Sequence, residues 1–210
     1  MVALIALGSM LIGCGADPDV LTDEETSDLV ERVLVDLDLP GDQHEPPFDP
    51  ADIPEGELEF GFHCQIESAG FDIEEVLVAF PPAAVGHEEN GRVIERVEVS
   101  ILVFDTPASA SAVLAAYDDE GTIDCLSRTF SESVEFEADD PLEAGGVTAE
   151  GMAFKIGTGE IQPEGHRTFA TTFGRILIDI TVLAPDESRG RELAGDVLEE
   201  VVSGLRAGGA

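Results

Sequence analysis

HRTFATTFGRILIDITVL, residues 166–183, holds two runs separated by Gly174-Arg175. The first run, 166–173, reads as a strand rich in Thr and Phe, and Gly174-Arg175 suits a two-residue hairpin turn. In the second, 176–183, Ile176, Ile178, Ile180 and Val182 fall on one face. The opposite face holds Leu177, Asp179, Thr181 and Leu183, and so is largely apolar too. A strand apolar on both faces belongs in the middle of a sheet. The 176–183 strand is therefore expected to be central in the sheet.

Further elements follow on either side. Leu58, Phe60, Phe62 and Cys64 alternate with Glu59, Gly61 and His63, the period of a half-buried strand. Another strand is expected at 74–80. Asn90-Gly91 is a hairpin-turn signal, and Val97, Val99, Ile101 and Val103 then alternate with polar neighbours. Thr106-Pro107 starts a helix with proline in its favoured first position. Ala110, Val113, Leu114 and Tyr117 share its inner face, Gly121 is read as its stop, and Cys125 lies just beyond. Strands are expected at 129–136 and 150–156. Pro185-Asp186 opens a last helix, whose Ala194, Val197, Leu198, Val201, Val202 and Leu205 recur at helical spacing. Near the N-terminus a helix is expected over 22–38. Thr22 and Glu25 stand at capping-box spacing, and Leu29, Val30, Val33, Leu34 and Leu37 form its stripe. The predicted fold class is α+β, a mostly antiparallel sheet packed by helices that include a long C-terminal amphipathic helix.

The opening of the chain points to a cellular address. Val2–Ile12 carries neither charge nor proline and ends in Leu11-Ile12-Gly13-Cys14. That run is shorter than the roughly 20 apolar residues of a membrane span. It fits the apolar region of a secretory signal, although no Lys or Arg precedes it. An aliphatic residue three before the cut, Gly13 before it and Cys14 after it form a lipobox, with Cys14 as the lipidation site. The expected organisation is a signal peptide at 1–13 and a tether at 14–21. An acidic helix with a Pro-rich linker follows at 22–56, and one α+β sensor-like domain at 57–210. Localisation is then the extracytoplasmic face of the cell membrane, reached through a lipid on Cys14.

Cysteine usage agrees with export. With Cys14 set aside, Cys64 and Cys125 remain as an even pair. Where disulfides persist, such a pair is read as a bridge, the alternative being two buried thiols. No CxxC or Cys/His cluster suggests zinc.

The formal charge is −35, from 45 Asp+Glu against 10 Lys+Arg, and Lys155 is the only lysine. This excludes nucleic acid as a partner held by phosphate neutralisation. It equally excludes a polybasic grip on anionic lipid. Adaptation to a salty medium is the simplest account. Abundant Ala, Val, Gly and Arg beside scarce Lys and Asn suggest a GC-rich genome, as in actinobacteria.

Sequence motifs for catalysis are weak. Ser68 in Ile66-Glu67-Ser68-Ala69-Gly70 lacks the first glycine of a nucleophile elbow. Gly157-Thr158-Gly159 has no following GKS/T. His87-Glu88-Glu89 reads as a polar hairpin tip. Asp118-Asp119-Glu120-Gly121-Thr122-Ile123-Asp124 lacks the acid spacing of a calcium loop and reads as a solvated helix end. His44, His63 and His166 stand apart in sequence. No cofactor or metal is implied.

The order of lipobox, acidic helix, Asp38-Leu39-Pro40-Gly41, strand to Cys64 and Val99-Ser100-Ile101-Leu102-Val103-Phe104-Asp105-Thr106 forms a recognisable layout. An alanine-rich helix, Cys125, a closing hairpin and a C-terminal amphipathic helix complete it. It resembles the actinobacterial lipoproteins related to the extracellular sensor domain of a mycobacterial serine/threonine kinase. The resemblance is carried most by Val103-Phe104-Asp105 and Ala108–Leu114, and it spans about residues 22–206 in layout. It implies an antiparallel sheet, a long C-terminal helix, a ligand-binding cleft of unknown specificity and a Cys64–Cys125 disulfide. The second disulfide of that sensor domain has no counterpart cysteines here. Small lipoproteins of the PsbP type share the sheet-plus-helix layout.

The expected function is a non-enzymatic ligand-binding or sensor-like lipoprotein whose partner is a small or lipidic ligand. One alternative is an envelope protein-interaction lipoprotein that docks through the 22–38 helix. A second is a hydrolase that gathers His63, His166 and carboxylates in one cleft.

The charge imbalance has a direct consequence. Added salt screens repulsion among like charges. The melting temperature should therefore rise from low to molar salt in a thermal scan, and a flat or falling response would contradict the salt-adaptation account.

Overall fold

A computed structural model describes residues 21–37, 63–71, 76–89, 92–117, 119–129, 134–156 and 166–208. The elements in chain order are α1 (Asp23–Asp36), α2 (His63–Ala69), β1 (Val76–Glu89), β2 (Arg92–Phe104), α3 (Pro107–Ala115), α4 (Glu120–Thr129), β3 (Val134–Ala144), β4 (Val147–Ile156), β5 (Arg167–Phe173), β6 (Ile176–Leu183) and α5 (Glu187–Gly208). The strands form one antiparallel sheet of six, in the order β1-β2-β6-β5-β4-β3. This is the α+β class expected, with the two-sided strand β6 third from one edge.

Helices cover both faces of that sheet. On one face α1 and α5 pack over Val97, Val99, Ile101 and Val103 of β2, Ile176, Ile178, Ile180 and Val182 of β6, and Phe169 of β5. On the other face α3 covers Leu102, Phe104 and Leu177 through Ala110 and Val113. Tyr117, Cys125 and Leu126 pack there against Phe136, Met152 and Ala170. The alternation in β6 thus sends one set of side chains into each helical layer. Burying a large aliphatic side chain stabilises by roughly 1.5–3 kcal/mol, so an uncovered face here would be costly.

The helix termini follow from local chemistry. Thr22 accepts from Glu25 N, and the Glu25 side chain accepts from Thr22 N, closing the capping box of α1. Thr106 Oγ1 accepts from Ser109 N at 3.1 Å, with Pro107 in the first turn of α3. Asp186 Oδ1 accepts from Arg189 N at 2.9 Å at the start of α5. The β5–β6 turn places Gly174 at φ 58°, which glycine adopts without steric cost.

Several expectations are corrected. Residues 57–62 lie outside the described residues, but His63 and Cys64 open helix α2 and do not end a strand. The alternation gives way to a helix packed on α3 and α4, in which Cys64, Gln65 and Ile66, three residues in a row, are all buried. Gly121 does not stop a helix. α3 ends at Ala115, and Gly121 lies in the first turn of α4, so Cys125 is helical. Asp119 starts that second helix by accepting from Thr122 N at 2.7 Å. A side chain at Gly121 would meet Ser68 Oγ at 2.9 Å, which is why α2 and α4 can approach there. Thr129, expected in a strand, still belongs to α4. β3 begins at Val134 and runs on to Ala144, its period broken by a register shift between Asp139 and Leu142. Gly145 and Gly146, at φ 57° and 71°, then turn directly into β4, which starts at Val147 rather than 150. β1 reaches Glu89, well past Pro81-Pro82, because it is an edge strand, where prolines are tolerated. Asn90-Gly91 itself lies outside the described residues, and the flanking strands pair with Glu89 opposite Arg92.

Cys64 of α2 and Cys125 of α4 are joined by a disulfide, with Cα atoms 5.5 Å apart and a sequence separation of 61. Closing a loop of that length removes unfolded-state entropy worth about 4 kcal/mol. The double variant Cys64→Ala/Cys125→Ala should lose stability of that order in a urea melt; a loss under about 1 kcal/mol would show that helix packing alone holds this layer.

Candidate functional site

Beneath the α3–α4 corner lies a polar cluster in an otherwise apolar layer. Asp179 sits midway along β6 on the face toward α3, beside Thr168 of β5, while Tyr117 reaches in from the turn after α3. Tyr117 is fully buried, and Thr168 and Asp179 are only 5% and 9% exposed. Tyr117 Oη donates to Asp179 Oδ2 at 2.7 Å, and Thr168 Oγ1 donates to the same oxygen at 2.8 Å. Tyr117 Oη and Thr168 Oγ1 are themselves 2.7 Å apart. Thr181 Oγ1 donates to Asp179 Oδ1 at 3.2 Å and lies 3.2 Å from Thr168 Oγ1. No cation bonds to this carboxyl among the described residues; its partners are hydroxyls.

The electrostatics follow from that setting. Burial pushes the Asp179 carboxyl up to about 6, although the hydroxyl bonds of Tyr117, Thr168 and Thr181 pull the other way; Glu98 of β2 adds a small upward push. Burial, then the charge of Asp179, raise the Tyr117 hydroxyl well above its usual range, so it stays protonated at neutral pH. The sign for stability is the reverse of the usual carboxylate case. Between the ordinary value of 3.8 and about 6 the folded chain holds a proton that the unfolded chain has released. Folding is therefore favoured at the acid end of that window and loses roughly 3 kcal/mol as pH rises through it.

The same corner carries a second set of buried bonds. Thr122 Oγ1 donates to the carbonyl of Ala116 at 2.6 Å and lies 3.5 Å from that of Cys64. The Tyr117 turn, α4 and the disulfide are thereby one connected unit.

Arginines fasten the opposite layer and the sheet edge. Arg175, in the β5–β6 turn, donates to Asp23, to the Leu21 carbonyl and to Thr26 Oγ1, and so holds the start of α1. Arg167 pairs with Asp139 at 2.7 Å and Glu187 at 3.1 Å. Arg191 donates to the carbonyls of Asp140 and Pro141 in the irregular part of β3 and lies over Phe169. Two open grooves of about 600 and 700 Å³ flank α1. The first is floored by Leu29, Val33 and Gly204 and rimmed by Asp36, Asp196, Glu199 and Glu200, with Arg32 beside them. Val35 on the outer face of α1 is 59% exposed.

The residues singled out by sequence are placed as follows. Cys14, His44 and Gly157-Thr158-Gly159 lie outside the described residues. Cys64 and Cys125 are brought together. His63 opens α2, its side chain outside the description, and His87-Glu88-Glu89 are backbone positions of β1. Asp118 lies outside the described residues; Asp119 caps α4 and Glu120–Asp124 open it, so these acids stand at a helix end, the start of α4. His166 stands just before β5, partly buried, and burial holds its imidazole below the usual value. Among the described residues no group of three or more His, Cys, Asp or Glu could hold a metal ion. Asp179 and Thr168 were not candidates from sequence. The available signal was a carboxylate in a strand whose two faces both read as core, together with the single tyrosine of the chain.

No family model matches this sequence, and no curated protein matches it. Among solved structures, the chain is similar to the extracellular domain of PknH from Mycobacterium tuberculosis, at 7% identity and a TM-score of 0.36. The match covers 61% of this chain and 66% of that domain, just under two thirds. At that score the likeness is one of general layout and carries no argument about function.

Replacing Thr168 by Val keeps the side-chain shape and removes one donor to Asp179. It should cost about 1–3 kcal/mol at pH 7, read from urea unfolding; a cost below 0.5 kcal/mol would show that Asp179 does not depend on this hydroxyl.

Proposed function

We propose that this chain is a lipid-anchored, extracytoplasmic, non-enzymatic binding or sensor-like module. The observation that carries the reading is the division of its three cysteines. Cys64 and Cys125 are consumed in a bridge that suits an oxidising compartment. Cys14 is left behind an apolar run in the sequence Leu11-Ile12-Gly13-Cys14, where acylation would tether the chain. The non-enzymatic part of the reading draws support from Asp179. The most perturbed carboxyl among the described residues is capped by three hydroxyls rather than open to a substrate.

The grooves along α1 supply the binding part. Their floors are apolar and their rims acidic, so they suit a ligand or partner with an apolar body and positive charge better than an anionic one. The reading as an envelope protein-interaction lipoprotein uses the same helix. The stripe of α1 is buried against α5 and the sheet, so docking there would use the outer face around Val35.

Expression of Cys14→Ala beside the parent chain tests the anchor. The variant should move from the membrane to the soluble exported fraction, and its mass should lack the acyl increment. Retention of the variant in washed membranes would overturn the lipid reading.

A further inference from the structure

Counting hydrogens in the buried cluster leads beyond the anchored-module reading and does not depend on it. Tyr117 Oη, Thr168 Oγ1 and Asp179 Oδ2 form a triangle with sides of 2.7, 2.7 and 2.8 Å. Each side is hydrogen-bond length, and so needs one hydrogen. With Asp179 ionised, only the Tyr117 and Thr168 hydroxyls supply hydrogens to the triangle. One side is then two oxygens facing each other with no hydrogen between them. A hydrogen on Asp179 Oδ2 completes a ring: Asp179 donates to Tyr117, Tyr117 to Thr168, and Thr168 back to Asp179. Thr181 keeps its bond to Oδ1. The triangle is satisfied by three hydrogens and not by two.

The cluster also has a mechanical position. Between the α2–α3–α4 layer and the sheet the core clusters are apolar, and the Tyr117 hydroxyl makes buried polar bonds across that interface. Tyr117 lies in the turn between α3 and α4, which Thr122 and the disulfide tie to α2.

We propose that Tyr117, Thr168, Thr181 and Asp179 form a proton-responsive latch: with a proton on Asp179 it fastens the disulfide-tied helical layer to the sheet, and loss of that proton lets the α3–α4 corner open. Charged and titratable groups stand on each element around this carboxyl, among them Glu150 of β4, which pairs with Ala170, itself opposite Asp179. From β2 come Glu98 and its partner Arg96. From the β5 side comes His166, two residues before Thr168. From the turn come Tyr117 and, at the start of α4, Asp119. α3 carries no charged residue, and α5 packs on the opposite face of the sheet. The raised value of Asp179, about 6, places the response between mildly acidic and neutral surroundings.

The test is hydrogen exchange by mass spectrometry on the intact chain from pH 5 to 7.5, corrected for intrinsic exchange rates. Protection of residues 63–71 and 107–129 should fall about tenfold over that range as Asp179 goes from about 6 in the closed form toward 3.8 in the open one. Protection in α5 should not follow it. Asp179→Asn, whose amide supplies hydrogens at every pH, should flatten the response, and His166→Gln should leave it in place. If Asp179→Asn fails to fold, Tyr117→Phe serves instead. It removes the hydroxyl through which the ring reaches the helical layer, so protection of 63–71 and 107–129 should already be reduced at pH 5 while α5 keeps its own. Equal loss in α5, an undiminished response in Asp179→Asn, a response abolished by His166→Gln, or parental protection at pH 5 in Tyr117→Phe would each overturn the latch.

Discussion

β6 has no face to turn to water, and the architecture follows from that constraint. Its isoleucines point into the α1/α5 layer, and Leu177 points into the α3 layer. Antiparallel sheets often leave one face solvated. Here that choice is unavailable, so helices are required on both sides. The N-terminal and C-terminal helices close one face. Three short helices, one ahead of the first strand and two between β2 and β3, close the other. A disulfide in that second layer is physically apt, because short helices bury little area each and gain most from being tied together.

Charge is distributed on the same plan. The acids lie largely on outer faces, as with Glu199 and Glu200 on α5 and Glu24, Asp28 and Glu31 on α1. The few cations work at joints. Arg175 fixes the start of α1, Arg167 and Arg191 hold the irregular stretch of β3, and Arg206 reaches the Gly145 carbonyl at the β3–β4 turn. A chain with 10 basic residues against 45 acids has few to leave free on the surface. Asp179 stands outside this scheme. It is a carboxyl with hydroxyls in place of an arginine, which leaves its charge uncompensated and open to titration.

Much of the fold was legible in the sequence because β6, α1 and α5 keep their periods without interruption. The places where the reading failed share a cause. At Cys64 the alternation of the preceding residues ran into a helix whose buried face is set by contact with α4, which no local pattern reveals. Around 118–124 a second helix begins almost where the first ends, so the acids of its N-terminus read as the tail of α3. In β3 the shift after Asp139 breaks the period that identifies a strand. The candidate site was hidden for a different reason. Asp179 and Thr168 are 11 residues apart in sequence and Tyr117 is 62 from Asp179, so only the β5–β6 register and the placement of α3 bring them together.

Asp179 is a carboxyl held without a counter-charge at the centre of a two-sided sheet. This is tested most directly by following the side-chain carboxyl carbon of Asp179 by NMR in the intact chain as pH is varied. The account predicts a single titration with its midpoint near 6. A midpoint near 4, that of an ordinary solvated aspartate, would contradict it.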